Sequence, residues 1–295
     1  MSNRPDYLYL FKPPYRVLVP IGHTSGLTQQ HGTDGSAVVW AMGSDFDEGI
    51  LRGLRRRPGG IALIVIAPPA SEIETDDNLL RVLELSRPQA LLPFHQEPSP
   101  LDLRALLQEP PESLSAAVVD YLAWRGLVLD MDTRHMLRRT IDLSAELRSI
   151  SGLARGLYLS RRALGRRFMK EGLPVPSHWL HFSRLLRAVL LMQQKEQNLV
   201  AVSFRLGYPD AFAMSNQMKR LTDCRPSEIS ERLGWEWFVE AWIQEEIRSG
   251  GFGDDSIQLL HSRGAVLQRL DAGSDPQGSG SASVDEQILL EAKSA

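Results

Sequence analysis

The segment LYLSRRALGRRF, Leu157 to Phe168, holds the residues best suited to bind a charged partner. Its four arginines lie within seven residues: Arg161, Arg162, Arg166 and Arg167. A guanidinium group donates paired hydrogen bonds in a fixed fork, which matches a phosphate or the O6 and N7 edge of guanine. Judged by charge alone, these arginines could equally form the solvated face of a charged helix that binds no partner. The spacing of the neighbouring residues therefore decides between the two.

The spacing predicts a helix that is buried on one side. Ser160 is a good N-cap, and Leu164 and Phe168 lie four residues apart, as an inward stripe requires. At about 100° per residue, Arg162 and Arg166 fall on the opposite face, one turn apart. Such a helix suits the major groove of DNA, where the two outward arginines reach base edges and their flanking neighbours reach phosphates.

The same pattern recurs 50 residues later, and a shorter helix (residues 150–157) precedes the first copy. The shift superimposes Tyr158 on Tyr208, Ser160 on Asp210, Leu164 on Met214, Phe168 on Met218, and the pair at 176–177 on that at 226–227. Two helix-turn-helix units are a far more specific signal than one. Residues 177–194, capped by Ser177, predict a continuous linker helix of about 27 Å. A spacer of that length suits two reading helices about 34 Å, one DNA turn, apart.

With two such units and a linker helix, the sequence resembles the DNA-binding domain of AraC/XylS-type transcription regulators over residues 132–232. The resemblance rests on LARGLYLSRRALGRRFMKEGLPVPSHWL and AVSFRLGYPDAFAMSNQMKRLTDCRPSEI. It implies two helix-turn-helix subdomains on adjacent major-groove segments of double-stranded DNA. By position it implies base contacts from Arg162, Gly165 and Arg166 in the first unit and from Phe212, Ser215 and Asn216 in the second. The flanking DNA-binding residues are expected to be Arg161, Arg167, Lys219 and Arg220.

The second unit departs from the family's pattern. Asn216 replaces a common arginine, Met218 a phenylalanine, and Asp223 the usual glycine of the following turn. Phe212 is expected to face outward, towards a thymine methyl or another aromatic ring. The second helix therefore reads A·T-rich DNA or makes mainly non-specific contacts; a purely structural second unit is the alternative.

The charge distribution supports a polyanionic partner for this part of the chain. Residues 149–232 contain 14 Lys and Arg against 6 Asp and Glu, whereas the whole chain has a formal net charge of −3. A basic segment in an acidic protein is the electrostatic signature of a nucleic-acid-binding module.

Residues 1–130 predict a flavodoxin-like or receiver-like α/β domain. Apolar strands at 15–21, 36–42, 60–67 and 90–94 alternate with helices at 45–57, 75–86 and 112–126, which favours a mainly parallel sheet. The segment RGLRRRPGG is interpreted as a helix end. No acidic residues follow the first predicted strand and no aspartate follows the third, so a phosphoacceptor is not expected. We expect this domain to form a homodimer or to bind a partner.

Other readings of the N-terminal half are weaker. It lacks the His-x-His and spaced glutamate of the family's cupin, and no cysteine precedes Cys224, which argues against a catalytic hydrolase-like domain. His23 and His31 are a candidate metal or ligand pair, but isolated histidines in loops are more often simply solvated. We predict no enzyme activity, no cofactor and no metal.

The remaining segments complete the predicted organisation. Residues 131–248 form the DNA-binding domain and end in an aromatic helix at 234–247, expected to pack on its neighbours rather than to bind a partner. Residues 249–295, rich in Gly, Ser and Asp, are expected to be a disordered tail. The single cysteine and the lack of a signal pattern or membrane span predict a cytoplasmic protein.

The sequence thus predicts an α/β domain followed by an all-α double helix-turn-helix domain, in a sequence-specific transcription regulator. The alternative is a ligand-sensing or inactive enzyme-like α/β protein fused to a helical nucleic-acid-binding module.

Overall fold

A computed structural model describes residues 5–43, 47–69, 76–93, 98–194, 198–229 and 231–261, with the backbone alone at 76–78. Its first part is a five-stranded sheet with helices, and its second part is helical. The predicted combination of an α/β region and an all-α region is confirmed. Within the described residues, no helix is long and apolar enough to cross a membrane.

The sheet is mixed rather than mainly parallel. Its strands are β1 (Tyr7–Phe11), β2 (Leu18–Ile21), β3 (Ala37–Ala41), β4 (Ala62–Ala67) and β5 (Ala90–Pro93). The order is β2-β1-β3-β4-β5, and β3, β4 and β5 are parallel. β1, which the sequence analysis missed, is antiparallel to both neighbours. The order matches that of flavodoxin-like sheets, but the reversed β1 corrects the expectation of a receiver-like parallel sheet.

Helices cover the sheet on both faces. They are α1 (Gln29–Thr33), α2 (Glu48–Arg55), α3 (Asp76–Ser86), α4 (Pro100–Gln108) and α5 (Leu114–Trp124). Every residue of β3 and β4 is buried, as expected of central strands packed on both faces. α4 is an addition to the prediction; Ser99 caps it, and Pro100 occupies its first turn.

The second part is helical, and among the described residues no strand follows β5; eight of its helices lie between residues 131 and 248. They are α6 (Met131–Leu143), α7 (Ile150–Gly156), α8 (Arg161–Lys170), α9 (Pro176–Gln193), α10 (Leu199–Arg205), α11 (Ala211–Thr222), α12 (Pro226–Ile229) and α13 (Glu236–Arg248). The linker helix α9 begins with a proline at its first position and has Val175, not the predicted Ser177, as N-cap. α13 is the predicted aromatic helix, and its tryptophans are buried.

The expectation of a disordered tail from residue 249 is wrong for its first thirteen residues. Residues 254–261 are helical, and Phe252 and Leu260 are buried. The amide of Gly253 also donates to the carbonyl of Gly172, at 2.9 Å. The rest of the predicted tail, including VDEQILLEAK, lies outside the described residues.

A buried carboxylate joins the two parts of the molecule. Glu240 of α13 accepts hydrogen bonds from Arg125 Nε at 2.8 Å, from the Tyr121 hydroxyl at 2.8 Å and from Gln29 at 3.2 Å. Burial raises the pKa of Glu240, but the charge of Arg125 and the hydrogen bonds outweigh burial and lower it overall. The Tyr121 hydroxyl also accepts from the amide of Gly60, at 2.7 Å. The sheet domain and α13 therefore share one hydrogen-bonded junction.

α5 belongs to the same junction. Its side chains Val118, Val119, Tyr121 and Leu122 pack in the hydrophobic core of the helical part. The domain boundary at residue 130 stays a prediction, but the core of the helical part begins before it.

Candidate nucleic-acid interface

α8 presents its arginines outward, as the spacing predicts. Ser160 caps the helix by accepting a hydrogen bond from the amide of Ala163 at 3.1 Å. Leu164 and Phe168 are fully buried. The arginines of its outer face and flanks, Arg161, Arg162, Arg166 and Arg167, are all exposed, as are Met169 and Lys170. The predicted inward and outward faces of this helix are confirmed.

These arginines are poorly compensated within the protein. Arg161, Arg162 and Arg166 have no ion pair among the described residues, and Arg167 lies 3.5 Å from the exposed Asp132. Arg161 and Arg162 also occupy the N-terminal turn, where the helix dipole disfavours positive charge by about 0.3–1 kcal/mol per charge. Arg162 and Arg166, four residues apart, repel one another. The outer face of α8 is therefore an unneutralised cationic surface, which an anionic partner would stabilise.

Gly165 lies on α8 between these arginines without a packing reason. A Cβ atom placed there meets no atom within 4 Å. Glycine inside a helix costs about 0.5–1 kcal/mol relative to alanine. Because the fold has room for a side chain, the glycine leaves this surface open for close approach from outside.

α11 occupies the equivalent place in the second unit but presents a different surface. Asp210 caps it by accepting from the amide of Ala213 at 2.6 Å, and Met214 and Met218 are fully buried. Phe212 faces outward with 73% of its surface exposed, and Asn216 is exposed as well.

The remaining predicted residues of α11 are partly engaged within the protein. The Ser215 hydroxyl donates to the carbonyl of Ala211 at 2.7 Å. Lys219 pairs with Asp223 at 2.5 Å, and this carboxylate belongs to the residue that ends the helix in the left-handed conformation, with φ of 55°. Arg220 is exposed and has no ion pair among the residues described. The backbone conformation of Asp223 explains why a glycine is usual at that position.

The turns of the two units are offset by one residue, which corrects the uniform shift of 50. In the first turn Tyr158 has φ of 56°, and in the second Gly207 has φ of 73°. The next residue in each turn, Leu159 or Tyr208, donates its amide to a carbonyl five residues back at 2.9 Å. Tyr158 thus corresponds to Gly207 and not to Tyr208, because Pro209 adds one residue before the second N-cap. A left-handed conformation costs a residue other than glycine about 1–2 kcal/mol.

The two tyrosines accordingly have different environments. Tyr208 is buried; its hydroxyl donates to Gln217 on α11, and burial raises its pKa to about 12. The guanidinium of Arg184, on α9, lies 4.4 Å from the Tyr208 ring and donates to the carbonyl of Leu206 at 2.7 Å. These contacts fix the second turn to the linker helix. Tyr158, by contrast, is 96% exposed.

α6 has a basic surface that was not predicted from the sequence. Its exposed or half-buried cationic and imidazole side chains are Arg134, His135, Arg138 and Arg139. A groove of about 310 Å³ separates α6 from the first turn and from α8, and it is lined by Asp132, His135, Arg139, Tyr158 and Arg167 among others. The run RHMLRR, with basic residues at helical spacing, is the signal that would have revealed this surface.

The two isolated histidines and the cysteine differ in their surroundings. The backbone amide of Thr28 donates to Nδ1 of His31 at 3.0 Å, so this ring helps to cap α1. His23 precedes a short 3₁₀ turn and makes no cap hydrogen bond there. Cys224 is buried, and burial raises the pKa of its thiol.

Comparisons with known proteins agree with this geometry over part of the chain. A family model described as "helix-turn-helix domain", of the AraC type, matches residues 153–232, which extend from α7 to just past α12. No curated protein and no solved structure matches the chain.

Proposed function

We propose how this protein, a sequence-specific DNA-binding transcription regulator with an AraC-type helix-turn-helix domain at residues 153–232, divides its DNA contacts between two helices. α8 reads bases in one major-groove segment and supplies most of the affinity. α11 occupies the adjacent segment and contributes weaker contacts.

One observation carries the proposal: the outer face and one flank of α8 hold three exposed arginines with no ion pair among the described residues, away from a fully buried stripe. Arginine on the outward face of a helix donates bidentately to guanine O6 and N7. In this arrangement Arg162 and Arg166 contact bases, and Gly165 allows close approach of the DNA between them. Arg161 and Arg167, on the flanks, bind phosphates.

For α11, the exposed side chains favour different chemistry. Phe212 offers an apolar contact to a thymine methyl, and an asparagine such as Asn216 pairs with adenine N6 and N7. The Ser215 hydroxyl already donates to a carbonyl of its own helix, so it is a weaker candidate for base contact. Lys219 and Arg220 bind phosphates. We therefore expect a preference for A·T pairs in the half of the site that α11 covers.

The sheet domain supplies the protein contact. β4 is the third strand predicted from the sequence, after which a receiver domain is expected to have its acceptor aspartate, and Pro68 and Pro69 follow it instead. We expect residues 1–130 to mediate a homodimer or partner contact and to do so without phosphorylation. Acetyl phosphate should leave the DNA affinity of the full chain unchanged, as a mobility-shift titration with and without the phosphodonor will show.

The deciding experiment is selection of bound fragments from random duplex DNA with the full chain. We expect an enriched site with a G·C-containing half and an A·T-rich half, about one helical turn apart. Recovery of fragments without a shared sequence would contradict specific reading. An enriched site that depends on Asn216 and not on Arg166 would reverse the assignment of the two helices.

A further inference from the structure

Tyr158 is the strained residue whose conformation the fold does not explain. It adopts the left-handed conformation that the second turn gives to Gly207, yet a bulky side chain is disfavoured there. Its side chain is 96% exposed, and no hydrogen bond of its hydroxyl is found among the described residues. The contacts that fix Tyr208 in the second turn have no counterpart here. Strain without an internal contact to offset it points to a contact outside the protein.

The surroundings of Tyr158 are cationic. It lines the groove between α6 and α8 together with His135, Arg139 and Arg167. The single carboxylate in this lining, Asp132, lies against Arg167 at 3.5 Å, and Arg139 has no ion pair among the described residues. On the same helix Arg138 is exposed and extends the positive surface beyond the groove.

The position of the groove also relates it to α8. Tyr158 lies two residues before the N-cap Ser160, and Arg167 belongs to the flank of α8 itself. A duplex whose major groove receives α8 therefore carries a phosphate backbone along the flanks of that helix. Because Arg167 also lines the groove, an anion bound on this flank of α8 lies at the edge of the groove.

We propose that this groove is a third DNA contact, in which a backbone phosphate of the duplex bound by α8 is held by Arg139 and Arg167, with the Tyr158 hydroxyl donating to the same phosphate or the adjoining sugar. This inference rests on the proposed function, because it requires α8 to lie in the major groove. It assigns α6, through Arg139, to the DNA interface, outside both helix-turn-helix units. The contact carries no base information, so it raises affinity for every sequence.

The test uses the full chain and two substitutions at position 158. Tyr158→Gly removes both the strain and the contact, so its thermal midpoint should rise while its dissociation constant for DNA increases about ten-fold. Tyr158→Phe keeps the strain and removes only the hydroxyl, so it should lose affinity without gaining stability. Opposite changes in stability and affinity separate a contact residue from a residue that supports the fold.

Arg139→Ala provides the charge readout, with Arg134→Ala as the control because Arg134 lies on the same helix but does not line the groove. Arg139→Ala should lower the slope of log K against log salt by about 0.9, equally on selected and random DNA. Arg134→Ala should lower the slope of log K against log salt by less than Arg139→Ala does.

Two results would overturn the inference. One is a Tyr158→Gly protein that is more stable and binds DNA as tightly as wild type. The other is an Arg139→Ala slope equal to that of wild type. Failure of the unsubstituted chain to bind any duplex would instead refute the proposed function itself, so the two failures are distinguishable. If Tyr158→Gly affects binding of another protein and not of DNA, the groove is a protein-docking surface and the inference is wrong.

Discussion

The two helix-turn-helix units share a frame and differ in the surface they present. Both have a seven-residue first helix, a left-handed turn residue and a second helix with a side-chain cap and a fully buried stripe. α8 exposes four arginines, whereas α11 exposes Phe212 and Asn216 and ties Lys219 to Asp223. The frame depends only on caps and buried residues, so the outward positions are free to diverge. The difference supports our proposal that the first unit dominates affinity.

The largest expected effect tests that dominance. Arg166→Ala should cost about 1–3 kcal/mol of binding free energy on the selected site and relax selection at one base pair, because it removes a base-edge donor. Its counterpart Asn216→Ala should cost less. Titration of both variants against the selected site and against sites mutated at single positions gives the measurement. Equal losses from the two variants would remove the distinction between the units.

Gly165→Ala tests the open surface between the arginines. Alanine should stabilise α8 by about 0.5–1 kcal/mol and yet weaken DNA binding, because the added methyl group obstructs close approach. The matched control is Ser215→Ala, at the equivalent position of α11, which should affect affinity less. Thermal unfolding and fluorescence-anisotropy titration record both quantities. A Gly165→Ala protein that is more stable and binds unchanged would show that this face of α8 does not approach the duplex.

Arg167→Ala separates phosphate contacts from base contacts. Loss of one phosphate contact should weaken binding to all sequences alike and reduce the salt slope by about 1. Lys219→Ala, on the flank of α11, should reduce the slope less because Asp223 already pairs with the lysine. Titrations at several salt concentrations measure the slopes. A change in sequence preference with Arg167→Ala would place that arginine among the base-reading residues.

The smallest expected effect concerns the support of the second unit. His178, near the start of α9, pairs with Glu246 of α13 at 2.9 Å. The hydrogen bond and charge of Glu246 raise the pKa of His178 against the opposing effects of burial and of Arg220. A raised pKa in the folded state means that the pair stabilises the protein below about pH 6.5 and that this contribution disappears as the pH rises through the folded-state pKa.

His178→Gln should therefore lower the free energy of unfolding by less than about 1 kcal/mol, since the histidine is partly exposed, and more at pH 6 than at pH 8.5. Denaturant unfolding of both proteins at the two values gives the comparison. A loss that is larger at the higher pH would contradict the assigned direction of the pKa shift.

Local chemistry made most of the helical region predictable from the sequence. The caps Ser160 and Asp210 and the buried pairs of α8 and α11 follow from spacing and side-chain type alone. The offset between the turns was not predictable, because the rule that favours glycine in a left-handed turn gives no reason to place Tyr158 there. We propose a DNA contact for that residue, and such a contact is not part of the rules that relate sequence to turn conformation.

Packing between elements accounts for what else the sequence did not predict. β1 pairs antiparallel with β2 and β3, and the residues of β1 alone do not specify those partners or their direction. The helix end predicted in RGLRRRPGG is confirmed, because α2 ends at Arg55. The sequence did not predict that Arg57 is fully buried, donates to the carbonyl of Ile61 at 2.9 Å and lies 4.5 Å from the Trp124 ring. Charge composition cannot distinguish this buried arginine from the exposed arginines of α8, since only tertiary packing supplies its partners.

The junction at Glu240 has a consequence for building chimaeras from this regulator. A hybrid that replaces everything before residue 131 discards Arg125 and Tyr121, leaving a buried carboxylate without its counter-charge and a helical core without α5. The transplantable unit is therefore longer than its two DNA-reading motifs and begins before α5, at about residue 110. Of the hydrogen bonds to Glu240, an exchanged input domain then removes only the one from Gln29, and it should supply a donor in its place so that the packing of α13 is kept.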